Sequence, residues 1–293
     1  MVRDRLPLNG ALSGHWLITG AGRGIGAAVA REVRGREPSA QLSLVDLDGE
    51  AARAVAAELG RATGFETDLS QVTRLPELLR ELQARSGPVD VLVNNAGVMW
   101  VGDATALSAE RSEALLTIDL LAPVRLVQLV LPDMRRRARG GIVNVASLAG
   151  VTPLRGCTVY AAAKAGVAHY SETLRAEMLP HGIDVLTVYP GPVRTELERE
   201  ARRGLRATWA SRAAPVGEPE VLARRIYEGL RFGAPRVVYP RSYELAWRFP
   251  RLASWITARF SPPAHAPEVE QRDQAPPVCS DGAREHQTLA HSG

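Results

Sequence analysis

The sequence predicts a single α/β domain built on a doubly wound parallel sheet with helices on both faces. From residue 15 to about residue 240, short apolar runs alternate with longer segments of helical periodicity. Strands that are separated by helices need crossover connections, and such crossovers join parallel strands. Hydrophobic residues make up 45% of the 293-residue chain, which is enough to cover a sheet on both faces.

Six segments have the composition of strands. The first of them is an apolar run that ends at a glycine-rich turn, and a helical pattern over 25–34 follows it. The second is followed by a helical pattern over 50–59, and further helical segments separate the others. The predicted strands span residues 15–19, 41–46, 89–93, 141–145, 183–188 and 236–239.

The domain is predicted to span residues 1–260, with 240–260 as an aromatic and basic C-terminal extension. Residues 239–260 hold six of the chain's 15 aromatic residues and four arginines, and Glu244 is the only acid there. Such a segment packs over a pocket or against a second subunit, which is the favoured interpretation, or it docks on a membrane surface. Residues 261–293 have almost no large apolar residues, which predicts a disordered tail.

Composition limits the functional classes. The formal net charge is +4, but the arginines are scattered among 32 acidic residues, so no nucleic-acid partner is expected. Cys157 and Cys279 lie far apart and form no metal-ligand pattern, so no metal is expected and a reducing compartment fits best. No apolar run reaches the roughly 18 residues of a membrane span, and the N-terminus lacks a signal-peptide pattern. The expected location is the cytoplasm.

Lys164 is the only lysine among the 36 basic residues of the chain. It follows Tyr160 by four residues, and residues at i and i+4 share one face of a helix. An ammonium beside a phenol favours the phenolate and lowers the pKa of the tyrosine, which can then act as a general base. Arginine is not a simple replacement there, because its planar group has a much higher pKa. On this spacing alone, a stray lysine on a surface helix is an equal alternative.

The segment from Thr19 to Gly26 reads TGAGRGIG and joins the first predicted strand to the first predicted helix. Glycines in that context permit a tight turn and close approach of a pyrophosphate to the helix N-terminus. Asp46 lies 20 residues beyond Gly26, where a carboxylate binds the adenosine ribose and repels a 2′-phosphate. The pattern predicts a dinucleotide site that prefers NAD. NADP is not excluded, because Arg23 could pair with a 2′-phosphate; its alternatives are a salt bridge to a nearby acid or a solvated side chain.

Further motifs follow in order along the chain. They are Asp68-Leu69, NNAG at 94–97, Ser147 at 13 residues before Tyr160, and PGPVRT at 190–195. Together with the glycine turn and the Tyr160–Lys164 pair, they resemble the short-chain dehydrogenase/reductase family over residues 14–239. The resemblance implies a Rossmann-like fold and an oxidoreductase that moves a hydride between NAD(P) and an alcohol or carbonyl carbon.

The resemblance also implies residue roles. Tyr160 would exchange a proton with the substrate oxygen, Lys164 would lower the pKa of Tyr160 and hold the nicotinamide ribose, and Ser147 would orient the substrate oxygen. The predicted cofactor-binding residues are Gly20, Arg23, Gly24, Ile25, Gly26, Asp46, Asp68, Leu69, Asn95, Ala96, Gly97, Tyr160, Lys164, Pro190, Gly191, Val193 and Thr195.

Asp119 stands where the family usually carries an asparagine that is thought to hold a water of the proton relay. An aspartate still accepts hydrogen bonds, but it lacks the amide donor and its negative charge favours protonated Lys164. We expect an altered but working relay, with Asp119 as a fourth catalytic candidate. The alternative is that Asp119 points elsewhere.

The expected substrate residues are Ser147, Tyr160, Trp100, Leu154 and Cys157, with 196–209 as a lid. Most of the surrounding residues are apolar, which predicts a hydrophobic secondary alcohol or ketone, such as a steroid-, retinoid- or lipid-like molecule. A buried structural role is an equal alternative for Cys157. The family resemblance implies a homodimer or homotetramer built on the helices over 109–137 and 158–179. A non-catalytic, dinucleotide-sensing protein on the same fold is the alternative to an enzyme.

Overall fold

The computed structural model of the protein describes residue 8, residues 10–203 and residues 214–260. The predicted tail over 261–293 lies outside the described residues, as do residues 204–209 of the predicted lid.

One seven-stranded parallel sheet forms the centre of the fold, with the strand order β3-β2-β1-β4-β5-β6-β7. The predicted doubly wound parallel architecture is therefore confirmed. The strands are β1 His15–Thr19, β2 Gln41–Asp46, β3 Ala62–Glu66, β4 Val91–Asn94, β5 Gly140–Val145, β6 Ile183–Pro190 and β7 Arg236–Tyr239.

Helices cover both faces of the sheet. Helices α1, α2 and α8 pack on one face, and α3, α5 and α6 pack on the other. A π-helical turn, Thr117–Leu121, joins α4 to α5. In the described part of the chain the α-helices are α1 Gly24–Arg36, α2 Gly49–Leu59, α3 Leu75–Ser86, α4 Ala109–Leu116, α5 Ala122–Arg137, α6 Thr158–Met178, α7 Glu196–Arg203, α8 Pro219–Arg231, α9 Glu244–Arg248 and α10 Pro250–Phe260.

The strand order reverses at β1, which pairs with β2 on one side and with β4 on the other. The connections that leave the carboxyl ends of β1 and β4 therefore diverge, and this opens a crevice of the kind that binds ligands in such sheets. The glycine turn follows β1 and the NNAG motif begins at the end of β4, so both lie at this crevice.

The strand β3 was not predicted. It forms one edge of the sheet, and Phe65 is its only buried residue, so it lacks the apolar pattern of the other strands. Its Gly64 packs closely on α2, since a Cβ there would lie 2.5 Å from the backbone nitrogen of Arg53. Close backbone packing of this kind leaves no periodic signal in the sequence.

A row of buried polar side chains fixes α5 and α6 against the carboxyl half of the sheet. Asn94 donates to the Asn144 side chain at 2.8 Å and to the Pro123 carbonyl at 3.2 Å. Asn144 in turn donates to Ser171 of α6 at 2.8 Å. Because buried polar groups of this kind demand partners in set directions, the row fixes the position of α6 relative to β5.

The expectation on membrane spans rested on uninterrupted apolar runs, and one helix reaches the mean hydropathy of a span without such a run. The continuous helix Ala109–Arg137 is long and apolar enough to cross a membrane by composition, with a mean hydropathy of 1.9 over 18 residues. Asp119 and Arg125 interrupt the apolar run without making it polar on average. One face of this helix packs against the sheet through Leu126, Val127 and Val130, which accounts for part of its apolar character.

Candidate active site

A cleft of about 1230 Å³ lies at the carboxyl ends of the strands. Most of the residues predicted to bind cofactor or substrate line it. They are Gly20, Arg23, Gly24, Ile25, Asp46, Asp68, Leu69, Asn95, Ala96, Gly97, Ser147, Leu154, Tyr160, Lys164, Pro190, Gly191, Val193 and Thr195.

Gly20 and Gly26 of the glycine turn have no room for side chains. A Cβ on Gly26 would lie 2.1 Å from the carbonyl oxygen of Gly20, and Gly20 itself has a positive φ of 63°. Gly24, where α1 begins, also has a positive φ. The N-terminus of α1 has neither a side-chain cap nor an acidic residue in its first turn. Its backbone N–H groups therefore suit an anionic group such as a pyrophosphate.

Asn95 ties the end of β4 to the end of β1. Its side-chain amide donates to the carbonyls of Thr19 and Gly20 at 3.0 and 3.1 Å. The hydroxyl of Thr19 accepts from the backbone nitrogens of Asn95 and Ala96, both at 3.1 Å. These bonds hold the glycine turn and the NNAG segment together across the crevice.

Asp46 is fixed at the end of β2 with its carboxylate at the cleft. One oxygen accepts from the backbone nitrogen of Gly22 at 2.8 Å, and the other accepts from that of Asp48 at 3.1 Å. Arg23 forms a salt bridge with Glu196, the first residue of α7, with 3.2 Å between the charged atoms. Of the three alternatives for Arg23, the salt bridge to a nearby acid is the one observed.

Tyr160 and Lys164 lie on one face of α6 and are both buried. The ammonium nitrogen of Lys164 is 5.7 Å from the centre of the Tyr160 ring. It donates to the carbonyl of Val145, at the end of β5, over 3.3 Å. The alternative of a surface lysine is therefore wrong.

Asp119 points into the site, and not away from it. One carboxylate oxygen lies 3.4 Å from the ammonium of Lys164, and the other accepts from the backbone nitrogen of Val98 at 2.7 Å. Gly97 leaves room for this pair, because a Cβ there would lie 3.2 Å from the ammonium and 3.3 Å from the carboxylate. The carboxylate sits on the π-helical turn, a local irregularity that often occurs at functional sites.

Burial and charge act on Tyr160 in opposite directions. Burial raises the pKa of Tyr160; the ammonium of Lys164 lowers it, the carboxylate of Asp119 raises it, and the hydroxyl of Ser147 lowers it by hydrogen bonding. The result is a pKa above the usual value of a tyrosine. Lys164 thus acts in the predicted direction, but the predicted lowering of the Tyr160 pKa is not reached because burial is the larger effect.

Lys164 keeps its charge. Burial would lower the pKa of Lys164, but the carboxylate of Asp119 and the phenol of Tyr160 outweigh it, so the pKa lies above its usual value. Burial also raises the pKa of Asp119, against the opposing effects of Lys164 and the Val98 N–H. Since the two charged groups lie 3.4 Å apart, we assign an ammonium and a carboxylate to the pair.

Ser147 follows β5 and begins a short turn of 3₁₀-helix. Its hydroxyl accepts from the backbone nitrogen of Ala149 at 3.1 Å, and it lies close enough to Tyr160 to lower the pKa of the phenol. Ser147 therefore caps this turn, and its side chain also lies at the cleft beside Tyr160.

Two of the predicted substrate residues, Trp100 and Cys157, do not line the cleft. Cys157 is only 1% exposed and belongs to an apolar cluster with Leu115 and Ala163, against which Trp100 packs. Burial raises the pKa of the Cys157 thiol to about 12, which leaves it protonated and unreactive at neutral pH. Cys157 therefore has the structural role that was its alternative.

Several cleft residues were missed. Leu47, Val98 and Ile118 line the cleft, and each is next in sequence to a predicted residue. The C-terminal extension, for which packing over a pocket or a second subunit was the favoured interpretation, lines the cleft with an apolar stripe of Leu245, Phe249, Leu252 and Ile256. Their spacing of four, three and four residues is that of one helix face, so the sequence did contain this signal.

Comparison with known proteins agrees with the geometry of the cleft. A family model described as short chain dehydrogenase matches residues 15–206, which is more than half of the chain. The protein belongs to the short-chain dehydrogenase family. The resemblance seen in the motifs is confirmed, and this short-chain dehydrogenase is an NAD(P)-dependent oxidoreductase.

Two curated relatives and one solved structure illustrate the proteins to which this chain is similar. A ketoacyl reductase, HetN, of Nostoc is 30% identical over 225 residues, covering 76% of this chain and 77% of the relative. A D-threitol dehydrogenase of Mycolicibacterium smegmatis is 35% identical over 205 residues, or 69% and 78% of the two chains. A metagenomic short-chain oxidoreductase in complex with NADP aligns with a TM-score of 0.64 at 30% identity, covering 77% of this chain and 96% of that one.

The glycine turn gives a test within one helix. We expect Gly26→Ala to lower the free energy of unfolding by about 1–3 kcal/mol, because the added Cβ collides with backbone. The Gly26→Ala variant should also bind NADH at least about tenfold more weakly than the wild type does. Gly35→Ala, also in α1, is the control: a Cβ there meets nothing within 4 Å, so stability should rise by up to about 1 kcal/mol. Urea unfolding and NADH fluorescence measure both effects; equal behaviour of the two variants contradicts the assignment.

Proposed function

We propose that the protein reduces an apolar ketone to a secondary alcohol, and catalyses the reverse oxidation, with Tyr160 as the general acid and base. The observation that carries this proposal is the meeting of Tyr160, Lys164 and Ser147 in the cleft that begins at the glycine turn. One cavity thus holds both the proton-exchanging groups, Tyr160 and Lys164, and the glycine turn that suits a dinucleotide.

The residues of the cleft suit NAD(P), which supplies or accepts the hydride when it is bound. The uncapped N-terminus of α1 and the glycine turn would hold the pyrophosphate, and Asp46 the adenosine ribose. Asp68 and Leu69 would contact the adenine, and Lys164 the nicotinamide ribose. We propose a preference for NAD, since Asp46 would repel a 2′-phosphate and Arg23 already pairs with Glu196.

Tyr160 would hold the proton that reaches the substrate oxygen. Its raised pKa keeps the phenol protonated at neutral pH, which suits the donation of a proton to a carbonyl. Lys164 remains charged and stabilises the phenolate that forms, and Ser147 would orient the substrate oxygen. A protonated phenol is the form that donates a proton during ketone reduction.

The substrate is proposed to be hydrophobic. Met99, Ile118 and Leu154 line the cleft near Tyr160, and the stripe of Leu245, Phe249, Leu252 and Ile256 continues the apolar wall. A ketoacyl reductase among the relatives is consistent with a ketone on an apolar chain. A small polyol, as the name of the threitol dehydrogenase indicates for that relative, would leave this wall without contacts.

We also propose that the protein is a homodimer or homotetramer in the cytoplasm, with residues 1–260 as one domain. The helix Ala109–Arg137 supports the oligomer. Its composition is strongly apolar, and Leu116 and Leu121 are exposed on it. A second copy would cover these side chains.

The rival function is a dinucleotide sensor without turnover. A sensor needs the glycine turn and Asp46 but has no use for a buried Lys164 beside Tyr160. A buried ion pair beside a phenol in a cleft is a cluster of titratable groups with shifted pKa values, and such clusters are typical of catalytic sites. This favours the enzyme.

Tyr160→Phe tests the enzyme. With NADH or NADPH and a panel of hydrophobic ketones, we expect kcat to fall roughly 100- to 10,000-fold, because the proton donor is lost. NADH affinity should change little, since the ring remains. Absorbance at the nicotinamide band measures turnover and fluorescence measures binding. Binding of NADH by the wild type without turnover of any ketone in the panel would favour the sensor.

Asp119→Asn tests the role of the unusual carboxylate. The carboxylate raises the pKa of Tyr160, so its removal should lower that pKa. Reduction needs the protonated phenol and declines as pH rises through this pKa, so the decline should move to lower pH in the variant. The dependence of kcat/KM on pH measures this. Asp103→Asn, a change of an exposed carboxylate, is the control and should leave the profile unchanged. A wild-type profile for Asp119→Asn would contradict the assignment.

Asp46→Asn tests the cofactor preference. Removing the charge while keeping the shape should reduce the ratio of kcat/KM for NADH over NADPH by about tenfold or more, because repulsion of a 2′-phosphate disappears. Asp48→Asn is the matched control, because Asp48 caps α2 and does not line the cleft. If both variants keep the wild-type ratio, Asp46 does not set the preference.

A further inference from the structure

The helices α9 and α10 carry an unusual concentration of exposed apolar side chains. Among the described residues, 12 large apolar side chains are exposed, and five of them lie between residues 244 and 260. They are Leu245, Phe249, Leu252, Trp255 and Ile256, with Trp255 64% exposed and Leu252 58%. We call these five residues the outer face.

The helix pair is anchored to the domain, so the outer face is a fixed surface. Trp247 lies between the ring of Tyr189, at 6.1 Å, and the guanidinium of Arg236, at 3.7 Å from its centre. Ala253 is buried beneath α10. The guanidinium of Arg155 donates to the carbonyl of Ala258 at 2.5 Å and so satisfies the C-terminal end of α10.

The segment that carries the outer face is also rich in positive charge. Arg241, Arg248, Arg251 and Arg259 are exposed on the same segment, and Glu244 is its only acid. The segment thus combines exposed aliphatic and aromatic groups with four cations. A helix of this composition lies in the interface of a membrane, with its apolar side chains among the acyl chains and its cations at the phosphates.

The outer face adjoins the mouth of the cleft. Leu245, Phe249, Leu252 and Ile256 belong both to the outer face and to the cleft wall, and they remain substantially exposed. The apolar wall of the cleft and the apolar surface of the helix pair are therefore continuous.

We propose that the outer face of α9 and α10 docks on the surface of a membrane that contains anionic lipids. Charge complementarity supports this occupant: each arginine near such a surface gains from the negative potential of the lipid headgroups. Aliphatic Leu and Ile beside Phe and Trp suit acyl chains.

A second copy of the chain fits this surface less well. In a symmetric dimer the same patch meets itself, so the four arginines would oppose four arginines across the interface. The cores of protein interfaces are depleted of charged residues, and like charges in apposition cost free energy.

Docking would place the mouth of the cleft at the lipid surface, where apolar ketones concentrate. This consequence rests on the proposed function, but docking itself does not. Lipid binding is therefore tested without an activity measurement, and its failure leaves the proposed enzyme intact.

The experiment is flotation of the full-length protein with vesicles of phosphatidylcholine, with and without phosphatidylserine. We expect the wild type to float with the phosphatidylserine vesicles, less with phosphatidylcholine alone, and less at high salt. Arg248→Gln/Arg251→Gln should lower the partition coefficient about tenfold or more, and so should Trp255→Ser/Ile256→Ser. The controls are Arg80→Gln/Arg135→Gln and Phe232→Ser, which remove equally exposed groups elsewhere and should float as the wild type does. Circular dichroism checks that each variant is folded.

Two results would overturn the proposal. One is a wild type that does not float with anionic vesicles, or floats no better than the outer-face variants. The other is a lipid-free wild type that sediments as an oligomer which both outer-face variants convert to a smaller species, because a second copy would then cover this face.

Discussion

A buried ammonium is the constraint on which the site depends. Lys164 is only 4% exposed, and a charge so far from water is stable only with partners. Asp119 supplies the opposite charge at 3.4 Å, and the carbonyl of Val145 accepts a hydrogen bond at 3.3 Å. Gly97 supplies the space. Partners from β5, the π-helical turn and the segment after β4 must therefore all be in place before Lys164 can occupy its position.

The same constraint explains why the surrounding fold is tightly fixed. Asn144 of β5 holds Ser171, which lies two helical turns beyond Lys164 on α6. Gly150 lets the turn that follows Ser147 approach α6, since a Cβ there would lie 2.7 Å from the backbone carbon of Lys164. The serine turn and α6 are thus held in contact, and the hydroxyl of Ser147 reaches Tyr160.

Much of this arrangement follows from local sequence signals. The glycine turn, the ends of β1 and β2, and the shared face of Tyr160 and Lys164 depend on short-range geometry, which spacing encodes. The edge strand β3 lacks a pattern because its neighbour α2 packs on backbone at Gly64. Arg23 and Glu196 are distant in the chain, so local spacing could not predict that they form a salt bridge. The pKa of Tyr160 was predicted to be lowered, but it is raised. Burial is the largest cause, and spacing alone does not reveal burial.

The most direct test of the central claim is turnover by Lys164→Arg. In a chain that otherwise uses only arginine for its strong cations, this change keeps the charge and alters its shape. The ammonium contacts Asp119 and the carbonyl of Val145 as a compact charge, and the longer, planar guanidinium would not place its charge at the same point. We expect a folded protein whose kcat for ketone reduction is at least about 100-fold lower. Wild-type turnover with arginine at this position would contradict the role assigned to Lys164.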